Sequence, residues 1–437
     1  MSVQNTGIQL KEESETPVSN IAEALQTILP KGEGENLDTI ENALTDLLSK
    51  VGKRATERYF EEQDSIGYHC PDCGRKTLLK QKRIGKITGL AKYAIRRRVF
   101  FCEGCQAYHY PLDQKLGLAG RFSFEVGKAA LLLGQRVPFQ EASDCLHELV
   151  NVDVSDRTIL GIVESVGEKV RSEDLRLVRN TLDKEGFAKP TKSDAPRKEG
   201  AAYLQMDGMM VQTREEGWKE IRNGILFAAD QRLELDKHHR WIRSKTCFSV
   251  FNRHKNSLEA FKRRATTEAW RFGFERYEKP VIVGDGAKWI WDYADTCHPN
   301  AIQILDYYHA SEYLGNALSS VGAARREKSE LFKRLEDGKV KGVVEYLKRQ
   351  TRTKEIVDCQ RYFTNHAKRM NYSEYRKQGL AIGSGAIESA HRTLIQSRMK
   401  QAGMHWKKKN VQSVASVRAG YESGRWDEMV NKYLRAA

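Results

Sequence analysis

Apolar positions along this chain keep two different rhythms, and the change from one to the other divides it. Leu37, Ile40, Leu44, Leu47, Leu48 and Val51 recur at helical spacing. They predict a helix over about 37–60, with a shorter one over 21–29 and a break at 34–36 between them. The first 20 residues, rich in Ser, Thr, Gln and Glu, read as a flexible tail ahead of an N-terminal helical region at 21–64. From about Gly67 to Leu112 the texture is β-like, and three helical patterns follow from about Phe124 to Gly167. Gly186, Pro190, Pro196 and Gly200, with mixed charge around them, predict a linker within 173–200. Strand-like runs then appear at 202–211, 222–229, 246–251 and 280–284. They alternate with helical stretches, which predicts an α/β core. From about Ala310 to Gln378 the pattern is helical and heavily charged. No internal repeat or low-complexity tract is present.

Composition narrows the class of partner. The chain has 437 residues, enough for two to four modules at ~150 residues each. An apolar share of 40%, with 33 Gly beside it, is ordinary for a globular chain, and 9 Pro exclude a collagen-like or Pro-rich filament. Lys and Arg number 73 against 58 Asp and Glu, a net charge of +15. That surplus points to a polyanion, nucleic acid before an anionic membrane. No apolar run approaches the ~18 residues of a spanning helix, and no strongly amphipathic basic helix stands near either end, so no membrane partner is expected. Lys11, Glu12, Glu13 and Glu15 interrupt any signal core, so no secretory leader is expected either.

Four of the eight cysteines form two C-x-x-C pairs, Cys70/Cys73 and Cys102/Cys105. A two-residue turn puts both sulfurs of a pair on one side, and zinc takes four such thiolates in a tetrahedron. Gly74, just after the second cysteine, suits the left-handed turn that lets backbone amides reach the sulfurs. The spacer is longer than the common ~15–20 residues, as a long hairpin would make it. This is a zinc-ribbon pattern over 65–115. With all four positions filled, the metal is structural. The bland alternative is a redox pair or buried free thiols. Arg96, Arg97 and Arg98 in the spacer read as phosphate contacts, or as a solvated hairpin face.

Over 120–172, Phe139 to Val150 and Ser155 to Val166 form a helix pair with Ser155 at an N-cap position. The pair resembles a helix-turn-helix, whose last helix would present Arg157 and Thr158 to a major groove. Plain helical packing is the competing reading.

Acidic residues punctuate the strands. Met206-Asp207-Gly208 and Gly284-Asp285-Gly286 each close an apolar run. Two carboxylates held at neighbouring strand ends share hard divalent cations, which in pairs clamp a phosphoryl transfer. Each Asp-Gly is also a common turn dipeptide. Gly383-Ser384-Gly385-Ala386-Ile387-Glu388 supplies a third carboxylate near a helix start, where the helix dipole alone also favours Glu. Beyond Glu388, Arg392, Arg398, Lys400, Trp406 and Lys407 form a cationic stretch with an aromatic, suited to a DNA backbone. Asp306 and His309 follow another apolar strand, and a strand cap beside a packed histidine is the simpler account of them.

The ordered set Asp207-Gly208, Asp285-Gly286, Asp306-x-x-His309 and Gly383-Ser384-Gly385-x-x-Glu388-Ser389 resembles bacterial insertion-sequence transposases of the DDE class. It is closest to the ISKra-type group of the Mutator-like superfamily. Arg398-Met399-Lys400, Gly403-Met404-x-Trp406 and the four-cysteine element ahead of Tyr110-Pro111-Leu112-Asp113 are similar as well. The resemblance spans about 65–425. It implies a multidomain chain in which N-terminal helices, a zinc ribbon and helix-turn-helix-like helices precede an α/β RNase H-like catalytic domain. That domain would take in 201–309 and 379–425, with an α-helical insertion at 310–378. Asp207, Asp285 and Glu388 would hold two Mg²⁺ or Mn²⁺ ions, with Asp306 and His309 beside them. Trp289 and Trp291 would stack on bases or pack in the core.

The implied partner is double-stranded DNA, both element ends and target. A homodimer or higher oligomer is implied, since two ends must be synapsed, as is a cytoplasmic, nucleoid-associated location. The rival readings are an inactive or domesticated transposase acting as a DNA-binding regulator, and a metal-dependent DNA nuclease.

Overall fold

The computed structural model describes residues 37–88, 92–116, 118, 122–188, 196–234, 240–252 and 256–434, with positions 23, 26 and 27. The tail expected at 1–20, the break at 34–36 and most of the helix expected over 21–29 lie outside the described residues. The chain divides into two units, 1–127 with 146–153, and 128–145 with 154–437.

The smaller unit is built on a three-stranded antiparallel sheet in the order β1-β2-β3: β1 (Leu78–Thr88), β2 (Lys92–Cys102) and β3 (Ala107–His109). Helix α1 (Leu37–Glu62) precedes it, and its helical spacing is as the apolar rhythm predicts. The end of α1 is fastened to β2. Glu61 accepts the Arg96 N–H at 3.1 Å, and just beyond the helix Asp64 accepts the Arg98 N–H at 2.9 Å. Phe60 packs with Ile95 of β2 and with Leu112 of the short α2 (Pro111–Lys115). Four large apolar side chains of α1, Leu37, Leu48, Val51 and Tyr59, are more than half exposed, and no α1 residue is fully buried.

Helices α3 (Phe124–Gly134) and α4 (Phe139–Val150) follow, then α5 (Asp156–Thr181). Ser155 is the N-cap of α5, its Oγ accepting the Thr158 N–H at 3.3 Å. This helix runs on to Thr181, and strand β4 begins at Lys198, so much of the stretch expected as a linker is regular structure. Val170 and Thr181 are buried in that extension, where packing continues the helix.

The larger unit is a five-stranded mixed sheet flanked by helices. Its order is β10-β9-β4-β5-β8: β4 (Lys198–Thr213), β5 (Gly217–Ala228), β8 (Thr246–Phe251), β9 (Tyr277–Gly284) and β10 (Ile302–Leu305). The first three form an antiparallel meander, while β9 and β10 run parallel to β4. The short hairpin β6 (Arg232–Glu234) and β7 (Arg240–Ile242) stands apart from this sheet. Buried runs such as Tyr203–Met206 and Val281–Val283 are what a sheet covered on both faces requires.

Helix α6 (Ser257–Phe272) packs on β8 and β5 and stops at Gly273, whose φ of +74° takes the left-handed cap. After α7 (Lys288–Cys297) and β10 come five helices: α8 (Tyr307–Ser320), α9 (Arg325–Glu336), α10 (Val340–Lys348), α11 (Lys354–His366) and α12 (Tyr372–Lys377). They fill the stretch expected to be a helical insertion. Helix α13 (Gly385–His391) leads through a π-helical turn, Arg392–Gln396, into α14 (Ser397–Met399).

Helix α15 (Lys408–Glu422) is buried from Asn410 to Gly420 and packs against α5 and β8. Its backbone lies so close to α5 that a Cβ on Gly167 would sit 2.3 Å from the Ser413 carbonyl oxygen. Gln412 and Ser423 occupy the outer edge of β8. Gln412 accepts the Phe251 N–H at 2.8 Å and donates to the Ser249 carbonyl at 3.0 Å, and Ser423 accepts the Cys247 N–H at 2.8 Å. An edge strand that would otherwise offer free amides is thereby closed. Among the described residues no helix is long and apolar enough to cross a membrane.

Candidate functional site

The parallel strands set the acidic residues side by side. The last β4–β9 pair is Gln205 with Val283, and Asp207 and Asp285 each lie two residues beyond it. The sequence suggested that β4 ends at Asp207. Instead it runs on to Thr213, paired with β5, and Asp207 marks where its parallel neighbour stops. Asp306 follows β10 directly, its N–H donating to the Gly284 carbonyl at 2.8 Å.

Asp306 is fully buried and is the N-cap of α8, accepting the Tyr308 N–H at 2.6 Å. Its second oxygen accepts the Ser384 N–H at 3.0 Å and the Ser384 hydroxyl, which also lies 3.4 Å from Glu388 Oε1. His309, one turn into α8, places Nδ1 3.4 Å from Asp306 Oδ2. Asp306, His309 and Glu388 offer ligand atoms all within 4.8 Å of one another. Carboxylate oxygens with one imidazole are a donor set that divalent cations accept.

The electrostatics join Asp207 and Asp285 to this group. Burial and then the charge of Asp285 push Asp207 up to about 6. Asp306, aided by the charges of Asp285 and Glu388, lifts His309 to about 9. Burial alone would raise Asp306, but the neighbouring His309 imidazole and the hydrogen bonds from Ser384 and Tyr308 hold it below the usual carboxylate range. Negative charge is therefore concentrated here, with His309 as the local counterion.

Sequence reasoning missed several residues that hold the site. Gln205 is almost fully buried; it accepts the Ile387 N–H at 3.0 Å and donates to the Gly383 carbonyl at 3.2 Å. A lone amide in the apolar run Tyr203–Met206 was the available signal. Tyr362 of α11 donates to the Asp285 carbonyl at 2.5 Å, and its ring covers Gly286, whose φ is +100°. His391 places Nδ1 3.6 Å from Asp207 Oδ2, and burial pushes its pKa down. No local pattern marks either of them.

In the smaller unit, Cys70, Cys73, Cys102 and Cys105 bring four sulfurs within 4.8 Å of one another. Cys70 and Cys105 are 3.8 Å apart and Cys73 and Cys102 3.5 Å. Around a zinc ion with ~2.3 Å arms the sulfurs of a tetrahedron stand about 3.8 Å apart, so the cluster fits a metal such as zinc. The two knuckles match: Gly74 has φ +71°, and its counterpart after Cys105, Gln106, has φ +53°. Backbone and neighbouring sulfur hydrogen bonds lower the Cys73 thiol to about 7, while neighbouring sulfurs raise Cys105 to about 12 and burial raises Cys70, so without a metal the negative charge gathers on Cys73.

The expected DNA contacts separate into exposed and engaged residues. Arg96, Arg157, Arg392, Lys400 and Lys407 are exposed, and Thr158 is half-buried at the start of α5. Arg97 is instead paired with Asp113, and Arg98 lies 3.5 Å from Asp64, inside the smaller unit. Arg398 is 1% exposed and does not reach a DNA backbone. Its guanidinium lies over the rings of Phe139 and Trp406 at 4.4 and 4.9 Å and donates to the Gly134 carbonyl at 3.0 Å. Trp406 is likewise buried, its indole N–H donating to the Met399 carbonyl at 3.1 Å. These two make the core that joins α4 to the C-terminal segment. Trp291 is 4% exposed and packs under Arg369, so it does not stack on bases. Trp289 is half-buried, edge-on to Phe261 with Arg222 over its ring.

Fold and sites define a multidomain mixed α/β protein with a four-cysteine cluster that could hold a metal such as zinc and a carboxylate–histidine cluster beside the parallel strands. The chain matches the model of an uncharacterised protein family, UPF0236, over residues 31–432 and belongs to that family. No curated protein matches it.

Proposed function

We propose that this protein is an insertion-sequence DNA transposase of the DDE class, which binds terminal inverted repeats and cuts and joins DNA strands at a divalent-metal centre. The observation that carries the reading is the convergence of Asp207, Asp285, Asp306, His309 and Glu388 at one sheet end. A three-stranded meander followed by two parallel strands, with one carboxylate on the first strand and another just past the fourth, is the arrangement an RNase H-like catalytic domain needs. The three-stranded unit with its cysteines is then a zinc ribbon. Helices α3 to α5 supply a helix-turn-helix-like surface whose exposed Arg157 meets DNA.

Asp207, Asp285 and Glu388 would hold Mg²⁺ or Mn²⁺. Cations held by these residues would supply activation of a water or 3′ hydroxyl and stabilisation of the leaving oxygen. Asp306 orients His309 and Ser384, and Ser384 in turn faces Glu388, so these residues fix the carboxylates before substrate arrives. Gln205 locks the helix bearing Glu388 to the strand bearing Asp207.

The test uses purified full-length protein and DNA carrying the inverted repeats that flank its gene. Cleavage and strand joining should require Mg²⁺ or Mn²⁺ and disappear in Asp207→Ala and Glu388→Ala. Full activity in both variants refutes the assignment. Cleavage without joining makes the protein a nuclease, and DNA binding without cleavage makes it a regulator.

A further inference from the structure

A cavity of about 840 Å³ opens beside the carboxylate cluster in the larger unit. Its volume is that of sites which enclose a whole small ligand, ~300–1,000 Å³. Gln205, Ile225 and Phe227 form its floor. Gln205 and Ile225 are direct partners across β4 and β5, so the floor is one face of the sheet. Asp207 lies on that same face two residues further along β4, roughly 7 Å away.

Two other elements repeat this adjacency. Tyr308 lines the cavity and His309 follows it on α8; Ser389 lines it and Glu388 precedes it on α13. Three elements thus each present one residue to the cavity and a neighbouring one to the carboxylate cluster.

The rim has a definite chemistry. Four cations, Arg136, Arg232, Lys245 and Arg376, line it with one carboxylate, Glu422; Lys245 pairs with Glu422 at 3.1 Å, Arg376 with Glu336, and Arg136 donates to the Tyr421 hydroxyl. Trp241 and Tyr308 are 65% and 63% exposed, unusual for large aromatic side chains. The Tyr308 ring lies so close to Gly383 that a Cβ there would be 2.8 Å from it, so one edge of the ring rests against the Gly383 backbone. Cations that take phosphate, with aromatic faces that take bases, are the combination that binds unpaired nucleic acid.

We infer that this cavity receives unpaired nucleotides of the DNA strand whose phosphodiester lies at the carboxylate cluster, with bases stacking on Trp241 and Tyr308. This rests on the transposase reading for the nature of the strand.

The test measures anisotropy of a fluorescein-labelled five-residue oligothymidylate with full-length protein in EDTA. Trp241→Ala and Tyr308→Ala should each weaken binding about 5- to 100-fold, and Trp241→Phe should retain most of it. A labelled blunt duplex should bind wild type and Trp241→Ala alike. Unchanged oligothymidylate affinity in both alanine variants overturns the inference. So does displacement of the probe by free dTMP as readily as by unlabelled oligothymidylate, which would mark a free-nucleotide site. End cleavage is assayed separately. If Trp241-dependent binding persists where no DNA is cut, the transposase reading falls and the cavity stands. If cleavage proceeds while binding ignores Trp241, the cavity assignment falls alone.

Discussion

The side-chain amide of Gln205 holds the backbone of Ile387, accepting its N–H at 3.0 Å while donating to the Gly383 carbonyl at 3.2 Å. One buried side chain therefore sets the distance between the strand of Asp207 and the helix of Glu388. Gln205→Leu keeps the volume and leaves two backbone groups without partners. It should cost about 1–3 kcal/mol of stability. Metal-dependent cleavage should fall by more than the unfolded fraction explains, as chemical denaturation and cleavage rates on one preparation will show.

Tyr362 acts similarly on the second aspartate, through its bond to the Asp285 carbonyl. Tyr362→Phe should keep the ring over Gly286 and lose the bond. The expected result is a loss of about 1 kcal/mol with a slower chemical step. Unchanged single-turnover rates would show that the helical insertion does not position Asp285.

His309 and Asp207 give the site a pH signature in metal-free protein. The folded pKa of His309, about 9, is raised above its ordinary 6.5. Its contribution to stability is full below about 6.5 and is lost as pH rises through about 9. Asp207 is raised to about 6, so its ionisation costs stability as pH climbs from about 4 through 6. In an NMR titration His309 should titrate near 9 in the wild type and return toward 6.5 in Asp306→Asn.

Buried and exposed cations should respond oppositely to substitution. Arg398→Ala removes a packed guanidinium from between Phe139 and Trp406 and should cost roughly 2–4 kcal/mol, read as a lower melting temperature. Lys407→Ala and Arg157→Ala should leave melting unchanged. Each should lower the slope of log affinity for duplex DNA against log salt by about 1. Equal salt slopes in all three variants would show that neither exposed residue touches phosphate.

The cysteine knuckles predict one metal per chain and opposite effects at equivalent turns. Chelation should unfold the three-stranded unit and leave the transition of the mixed sheet in place. Gly74→Ala meets no atom within 4 Å, so its cost, about 1–2 kcal/mol, comes from the left-handed backbone alone. Gln106→Gly should raise the melting temperature of the metal-bound form, provided the relief at φ +53° exceeds the loss of the Gln106 bond to the Glu103 carbonyl.

The strands carrying Asp207 and Asp285 were legible because apolar runs buried on both faces are continuous in sequence, and because a carboxylate after such a run is conspicuous. The two cysteine pairs were legible because metal-ligand spacing is a local property, and Ser155 because a cap acts within one turn. Arg398 and Trp406 were not. A cationic stretch with an aromatic looks the same whether it faces water or a neighbouring helix, and burial is decided by elements far away in the chain. Arg97 and Arg98 read as a basic face for the same reason, since their partners Asp113 and Asp64 lie beyond the hairpin.

By itself the sequence determined which residue types stand at strand ends and turns, through local backbone preference and apolar period. Only the tertiary structure decided that Gln205, Ser384, Tyr362 and His391 hold or flank the acidic cluster. Hydrogen bonds between residues as distant as Gln205 and Ile387 leave no periodic trace in the chain that makes them.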